Sequence, residues 1–428
     1  MLSIRLNELT ASDIVRAVRH GDATCESIAR ACLERIAERE GAVQAWEYID
    51  RPAVLATAKG LDQRGAQGIL AGVPFGVKDI IDTADIPSEY GSPIYAGHQP
   101  KTDAACVALS RKADAVLLGK TVTTEFANRH PARTRHPLDP ARTSGGSSSG
   151  SAAAVADAMV PVALGTQTTG STIKPGSFCG VFAYRPTFGE LSCAGVKQSA
   201  WSLDTLGIYA RSVEDLSRYR DALLGRQRES ELRSVSKPRV AFCRTHKWDE
   251  VEPSTRALFE DAALRLRKIG VDVRDVTLPT AFNEMEEAHK WISSYEFTRN
   301  YTWEIENHRD KISETLQKGR LKNGLSCSFE RYSQAKLHAE QTCKMLDAIF
   351  DDYDALLTSP VVGEAPVGFS DTGNSSLCGM WTALHVPVVT IPVFRGPTNL
   401  PIGAQLIARR GNDEELFGIA DSIYKILT

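Results

Sequence analysis

The sequence predicts an α/β protein, a central mixed β-sheet sandwiched by α-helices. Two observations carry that expectation. Residues 239–276 read strand, helix, strand: RVAFCR, then an apolar stripe of Leu258, Ala262, Leu266 and Ile269 at helical spacing, then alternating Val271, Val273 and Val276. Such a unit needs helices to cover a largely parallel sheet. Three more strand-like runs follow at 355–357, 386–393 and 402–408. At 428 residues, length alone allows two or three domains.

The remaining elements can be taken in order. Residues 10–19 and 24–38 read as two amphipathic helices separated by Gly21. Thr24 is a cap for the second, and Ile28, Cys32, Leu33 and Ile36 form its stripe. Together they suggest an N-terminal helical arm, residues 1–60. Residues 72–77 are strand-like and lead into Lys78, and 115–118 lead into Gly119-Lys120-Thr121. Prolines at 131, 137 and 140 stiffen the approach to a serine-rich turn. Residues 182–192 and 199–209 are loop- and strand-like, and 213–224 read as a helix ending at Gly225. The polar run RQRESELRSVSK, residues 226–237, reads as a surface linker between two halves, 61–225 and 238–428. The helix after Val251 takes Ser254 as its cap, and the last helix takes Asn412. Residues 281–352 are mostly helical and charged. Their aromatics Trp291, Tyr295, Phe297, Tyr301 and Trp303 read as ordinary packing, with cavity lining as the alternative.

The chemistry concentrates in residues 142–180, RTSGGSSSGSAAAVADAMVPVALGTQTTGSTIKPGSFCG. Two hydroxyl-rich turns flank a helix-favouring run (152–159) and a short buried strand (160–164). That layout can set serines from different turns side by side and leaves backbone N–H groups uncovered for an oxyanion. A flexible linker would not continue into AAAVADAMVPVALG. A phosphate loop fails too. Gly119-Lys120-Thr121 has its tail, but Asp114 stands at the first glycine position.

Composition excludes several function classes. Fifty basic against 53 acidic residues give a net charge of -3, which offers no polyanion-binding surface, so no nucleic acid partner is expected. Nine cysteines, scattered and never in C-x-x-C spacing, fit reduced thiols in a cytoplasmic protein better than disulfides or zinc. The nine histidines show no ligand spacing, so no metal or other cofactor is expected. No apolar run reaches membrane length and no leader peptide is apparent at MLSIRLNELTASD.

The 145–180 segment resembles the core motif of the amidase signature family of serine hydrolases. GVPFGVKD (72–79) resembles that family's lysine-bearing segment. GKTVTTEFA (119–127), SLDTLGIYARSVEDL (202–216), ALLTSP, MWTALHVPVVTIPV and LPIGAQLIARR are similar to it as well. The resemblance spans most of the chain outside 226–352 and implies a single large domain over 1–428. It implies Ser171 as nucleophile, Ser147 as bridging serine on a cis Gly146–Ser147 peptide, and Lys78 as base. It implies backbone N–H groups of Thr168, Thr169 and Gly170, with Ser171, as the oxyanion hole. Ser148 is an auxiliary candidate, and Ser144 and Ser151 read as caps. Thr169 replaces the usual first glycine, which implies either a narrower acyl pocket or an N–H that points differently at this position. Gln167 stands where many members have Asp and resembles a malonamidase-like small-amide subgroup. Lys174 occupies that subgroup's basic position and is a candidate for a substrate carboxylate. Trp201 is a further candidate near the cleft.

The expected function is hydrolysis of a small linear amide through a Ser171 acyl-enzyme, with a carboxylate-bearing amide among the candidate substrates. The alternatives are an amidotransferase subunit of a tRNA-dependent complex and a catalytically weakened relative, the latter motivated by Thr169. The expected partner is a small-molecule amide, and a homodimer is the commonest assembly.

Overall fold

The computed structural model describes residues 5–228, 230–233, 235 and 237–428. Among them, eleven strands form one mixed sheet: β1 (Trp46–Tyr48), β2 (Pro74–Lys78), β3 (Val116–Thr121), β4 (Val162–Gln167), β5 (Phe182–Arg185), β6 (Thr205–Ala210), β7 (Arg239–Cys243), β8 (Asp272–Val276), β9 (Ala355–Thr358), β10 (Val388–Arg395) and β11 (Pro401–Ile407). Their spatial order is β1-β3-β2-β4-β6-β5-β10-β11-β9-β7-β8. β2 runs parallel to β3 and β4, and β7 runs parallel to β8 and β9; the other pairs are antiparallel. Strands from both sides of residues 226–237 join the same sheet, so the α/β fold is a single domain.

The sheet is covered on both faces, which is why its inner strands read as apolar runs. Alternation sorts their side chains. Val162, Leu164, Val240, Phe242, Leu357 and Leu406 join one cluster, with helices Ala11–His20, Val213–Leu223, Pro253–Lys268 and Asp413–Leu427. Ala163 joins a second, with helices Cys25–Val43 and Ser149–Ala156. Ala241, Leu356 and Ile407 join a third, with Met285–Asn300, Phe329–Ile349 and Ser376–Ala383.

Several local expectations shift. Thr24 does cap its helix, in a reciprocal capping box with Ser27. Ser254 does not cap: Pro253 takes the first turn, where its missing N–H costs nothing, and Glu252 precedes it. That helix buries Thr255, Phe259, Ala262, Ala263 and Leu266, and Ile269 is 57% exposed. Asn412 stands at a cap position, but its side chain donates to Glu415 Oε2 at 3.2 Å instead. The helix expected at 152–159 is Ser149–Ala156, because Ala158 takes φ 54° and turns the chain towards Pro161. The expected linker has no helix or strand in its described part; residues 229, 234 and 236 lie outside the described residues. Leu232 and Val235 pack on the core, so this stretch is less of a free surface segment than its polarity suggests.

Gly150 sets how close the serine turn sits to the sheet. It opens helix Ser149–Ala156, and its N–H donates to Val122 O at 3.0 Å. A Cβ there would stand 2.2 Å from Ala45 O and 2.4 Å from Val122 N, both backbone atoms that cannot swing away. Gly150→Ala is expected to destabilise the fold by about 2 kcal/mol, the usual cost of overpacking. Urea denaturation checks this, and an unchanged midpoint would contradict it.

Candidate active site

β2 and β4 are parallel neighbours, with Val77 opposite Leu164, so their C-terminal ends lie side by side. Lys78 ends β2, and the turn carrying Ser171 follows β4. Parallel α/β sheets bind ligands at such strand ends. Ser147 arrives from the turn before helix Ser149–Ala156, on a cis Gly146–Ser147 peptide. Gly145 holds φ 86° in this turn.

Lys78 is fully buried, and its Nζ donates to Ser147 Oγ at 2.7 Å and to Thr166 Oγ1 at 2.8 Å. Among the described residues, no carboxylate pairs with it. Burial therefore pulls its pKa down to about 7, only partly opposed by the charge of Asp204. A second buried lysine shows the contrast. Lys120 pairs with Asp79 at 3.3 Å and donates to Ser88 Oγ at 2.6 Å and to Ile81 O. Lys120 is thus a structural ion pair behind the site and holds no phosphate loop.

Ser171 and Ser147 line the same cavity of about 810 Å³. Among the described residues, no hydrogen bond joins their hydroxyls, so Ser171 Oγ is free to meet a ligand. The backbone N–H groups of Thr168, Thr169, Gly170 and Ser171 likewise have no acceptor among the described residues. Side chains hold the turn from behind. Gln167 Oε1 accepts from the N–H of Thr172 and Ile173 at 2.9 and 3.0 Å. Thr168 Oγ1 donates to Asp204 at 2.5 Å, and Asp204 also accepts from Ser199 N and Ala200 N. Burial raises the Asp204 pKa to about 6. Tyr209 Oη donates to Ser171 O at 3.0 Å.

The lining residues include Ser147, Thr168, Thr169, Gly170, Ser171 and Lys174. Lys174 Nζ donates to Thr372 Oγ1 at 3.0 Å and to Gly373 O at 2.7 Å, so it ties down a loop. Ser148 and Gln167 are buried behind the turn, where Ser148 Oγ donates to Thr166 O at 3.2 Å; neither lines the cavity. Trp201 is 41% exposed and the structure does not bring it to the cavity. Ser144 and Ser151 do not cap: their hydroxyls donate to Ser149 O at 3.4 Å and to Leu164 O at 2.9 Å. Trp291, Tyr295, Phe297, Tyr301 and Trp303 also stay outside the cavity. Phe297 and Tyr301 are core residues, their rings stacked 4.4 Å apart.

Thr166, which bonds Lys78, Asp204, which bonds Thr168, and the cavity residues His289 and Arg320 are not singled out by the sequence. Thr166 and Asp204 stand inside TQTTGS and SLDTLG, so their motifs were visible even where their roles were not. His289 and Arg320 come from charged helical segments without a motif. Arg320 follows Gly319, whose φ of -97° and ψ of -107° break the helical course, and both line the cavity.

A buried lysine bonded to one serine, a second serine on the same cavity and uncovered N–H groups form a set with the chemistry to attack a carbonyl and hold an oxyanion. The family model described as Amidase matches residues 27–417. A glutamyl-tRNA(Gln) amidotransferase subunit from Chloroflexus aurantiacus is 30% identical, over 98% of this chain and 97% of its own. A solved chain from a vestigial protein complex bearing on the origins of an s-triazine catabolic enzyme superposes with a TM-score of 0.89 at 26% identity, covering 97% of this chain and 98% of that one. A solved amidase superposes with a TM-score of 0.89 at 25% identity, covering 98% of this chain and 100% of its own. This chain belongs to the amidase family.

Proposed function

We infer that the protein hydrolyses the C–N bond of a small linear amide through a Ser171 acyl-enzyme. The observation that carries this reading is Lys78: a buried lysine, near-neutral at physiological pH, bonded to Ser147 rather than to a carboxylate. Neutral Lys78 takes the Ser147 proton while Ser147 takes that of Ser171. Ser171 Oγ attacks the carbonyl carbon, and the N–H groups of the 168–171 turn hold the oxyanion. The proton returns through Ser147 to the departing nitrogen. Water then cleaves the ester by the same relay, releasing the acid and restoring Ser171.

Thr169 does not preclude this chemistry. Its φ lies outside the left-handed region, so a β-branched residue fits its backbone. A Cβ added at Gly379 would stand 3.1 Å from Thr169 Cγ2, so the absent side chain at 379 makes room for that methyl. Thr169 takes space on the acyl side and favours small acyl groups, in line with the malonamidase-like subgroup that Gln167 suggests.

Charge in the cavity supports a substrate bearing a carboxylate. Arg320 lines the cavity, and its buried Nη1 has no hydrogen-bond partner among the described residues. Burial lowers its pKa to about 10, which leaves it cationic at neutral pH. Glu250 and Glu286 are both engaged by Lys247, at 2.8 and 2.7 Å. A guanidinium fork suits a carboxylate, so Arg320 is the better anion receptor than the loop-bound Lys174.

A second reading rests on the relatives that serve as glutamyl-tRNA(Gln) amidotransferase subunits: this chain would release ammonia inside a larger complex. Co-purification with partner proteins and glutamine-dependent release would support it.

Ammonia release from monoamides of three- to six-carbon dicarboxylic acids and from their neutral diamides tests the leading reading. Ser171→Ala is expected to lose at least about 10³-fold. The kcat/KM is expected to rise with pH through about 7 and then level, because the base works only when Lys78 is neutral. Arg320→Gln is expected to erase the preference for the charged amides. Thr169→Gly is expected to widen acceptance of bulky acyl groups, and an unchanged substrate profile would contradict the crowding argument. Release that survives in Ser171→Ala would overturn the nucleophile.

A further inference from the structure

The oxyanion turn is gripped on its carbonyl side by two side chains from outside the signature motif. His289, on helix Met285–Asn300, makes a hydrogen bond of 2.8 Å between Nε2 and Thr168 O. A carbonyl can only accept, so Nε2 carries the proton and donates. Thr382, on helix Ser376–Ala383, donates its hydroxyl to Thr169 O at 2.7 Å and accepts from Gln167 Nε2 at 3.0 Å. Successive carbonyls are thus pulled towards the two helices. A peptide unit is planar with its N–H opposite its C=O. Holding the oxygens of Thr168 and Thr169 outward therefore fixes the direction of the N–H groups of Thr169 and Gly170, which have no acceptor among the described residues.

We propose that His289 and Thr382 form a clamp that sets the oxyanion donors, with His289 held as a neutral Nε2–H tautomer. They are positioning residues, acting through the turn, and the proposal rests on the Ser171 amidase reading. The clamp also explains how the site accommodates Thr169. The threonine methyl projects towards Gly379, one helical turn before Thr382, beside the His289 ring. Helix Ser376–Ala383 thus supplies both the space for the threonine side chain and the bond that holds its carbonyl.

The electrostatics around the ring fit a permanent donor. Burial lowers the His289 pKa to about 4, against the bond to Thr168 O, which raises it. Among the charged groups that act on it, Arg320 lowers the pKa and Glu286 raises it. The imidazole therefore stays neutral across the working pH range, and it donates to Thr168 O without itself titrating there.

Two measurements test the clamp. Nitrogen-15 NMR of histidine-labelled protein needs no turnover. His289 is expected to show the Nε2–H tautomer and to stay neutral down to about pH 5, with His289→Gln identifying its signal. An Nδ1–H tautomer, or titration near the ordinary histidine value, would overturn the proposal. Kinetics on the most active amide of the panel give the second test. His289→Leu and Thr382→Val are each expected to lower kcat at least about tenfold with KM within about threefold, because the donors act on the transition state. His289→Gln, which keeps an N–H donor, is expected to recover most of the loss and to keep the acid limb near pH 7. A change in KM alone, or no rescue by glutamine in a folded variant, would overturn the clamp. Absence of any Ser171-dependent turnover would instead sink the amidase reading and leave the NMR result to decide the clamp.

Discussion

The site depends on a buried lysine, Lys78, that has hydroxyl partners and no carboxylate partner among the described residues. Taking an ammonium out of water is costly, and a protein can meet that cost with a counter-ion or by letting the proton go. This fold does both within one strand pair. Lys120 on β3 is paired with Asp79, while among the described residues Lys78 on the adjacent β2 finds only the hydroxyls of Ser147 and Thr166. Asp204, whose charge acts on Lys78, is already occupied by Thr168, Ser199 and Ala200. What distinguishes the two lysines is the partner each one has, since both are buried.

Everything else in the site keeps two turns in register with that lysine. The parallel pairing of β2 and β4 brings the Lys78 and Ser171 ends together. Gly150 lets the Ser147 turn lie against the backbone of Ala45 and Val122. Gln167 accepts from the N–H groups that open helix Ile173–Cys179, and His289 and Thr382 hold the carbonyls of Thr168 and Thr169 in the turn before it. Gly170 packs against Cys378 and Ser375, so helix Ser376–Ala383 closes the turn from the far side. A chain segment more than 200 residues downstream of the motif thus completes it.

The division between what could be read and what could not follows from where information resides. The α/β class was legible because strand and helix periods in residues 239–276 are local. Lys78, Ser147 and Ser171 were legible as candidates because their segments carry family motifs. Helix ends were less legible: at Pro253 backbone chemistry outranks a nearby serine, and at Asn412 a side-chain partner outcompetes the cap. His289 and Arg320 sit in charged helices, where spacing reveals a helix but tertiary packing decides which face meets the cavity. Trp201 illustrates the reverse. A large aromatic close to the motif in sequence is carried away from the cavity by the turn it occupies.

The most direct test of the account is the protonation of Lys78 itself. Nitrogen-15 NMR of Nζ-labelled lysines, with Lys78→Arg to identify the signal, reads it without reference to any substrate. Lys78 is expected to titrate near pH 7. A Lys78 that stays charged above about pH 9 could not serve as the base, and the proton relay through Ser147 would be wrong.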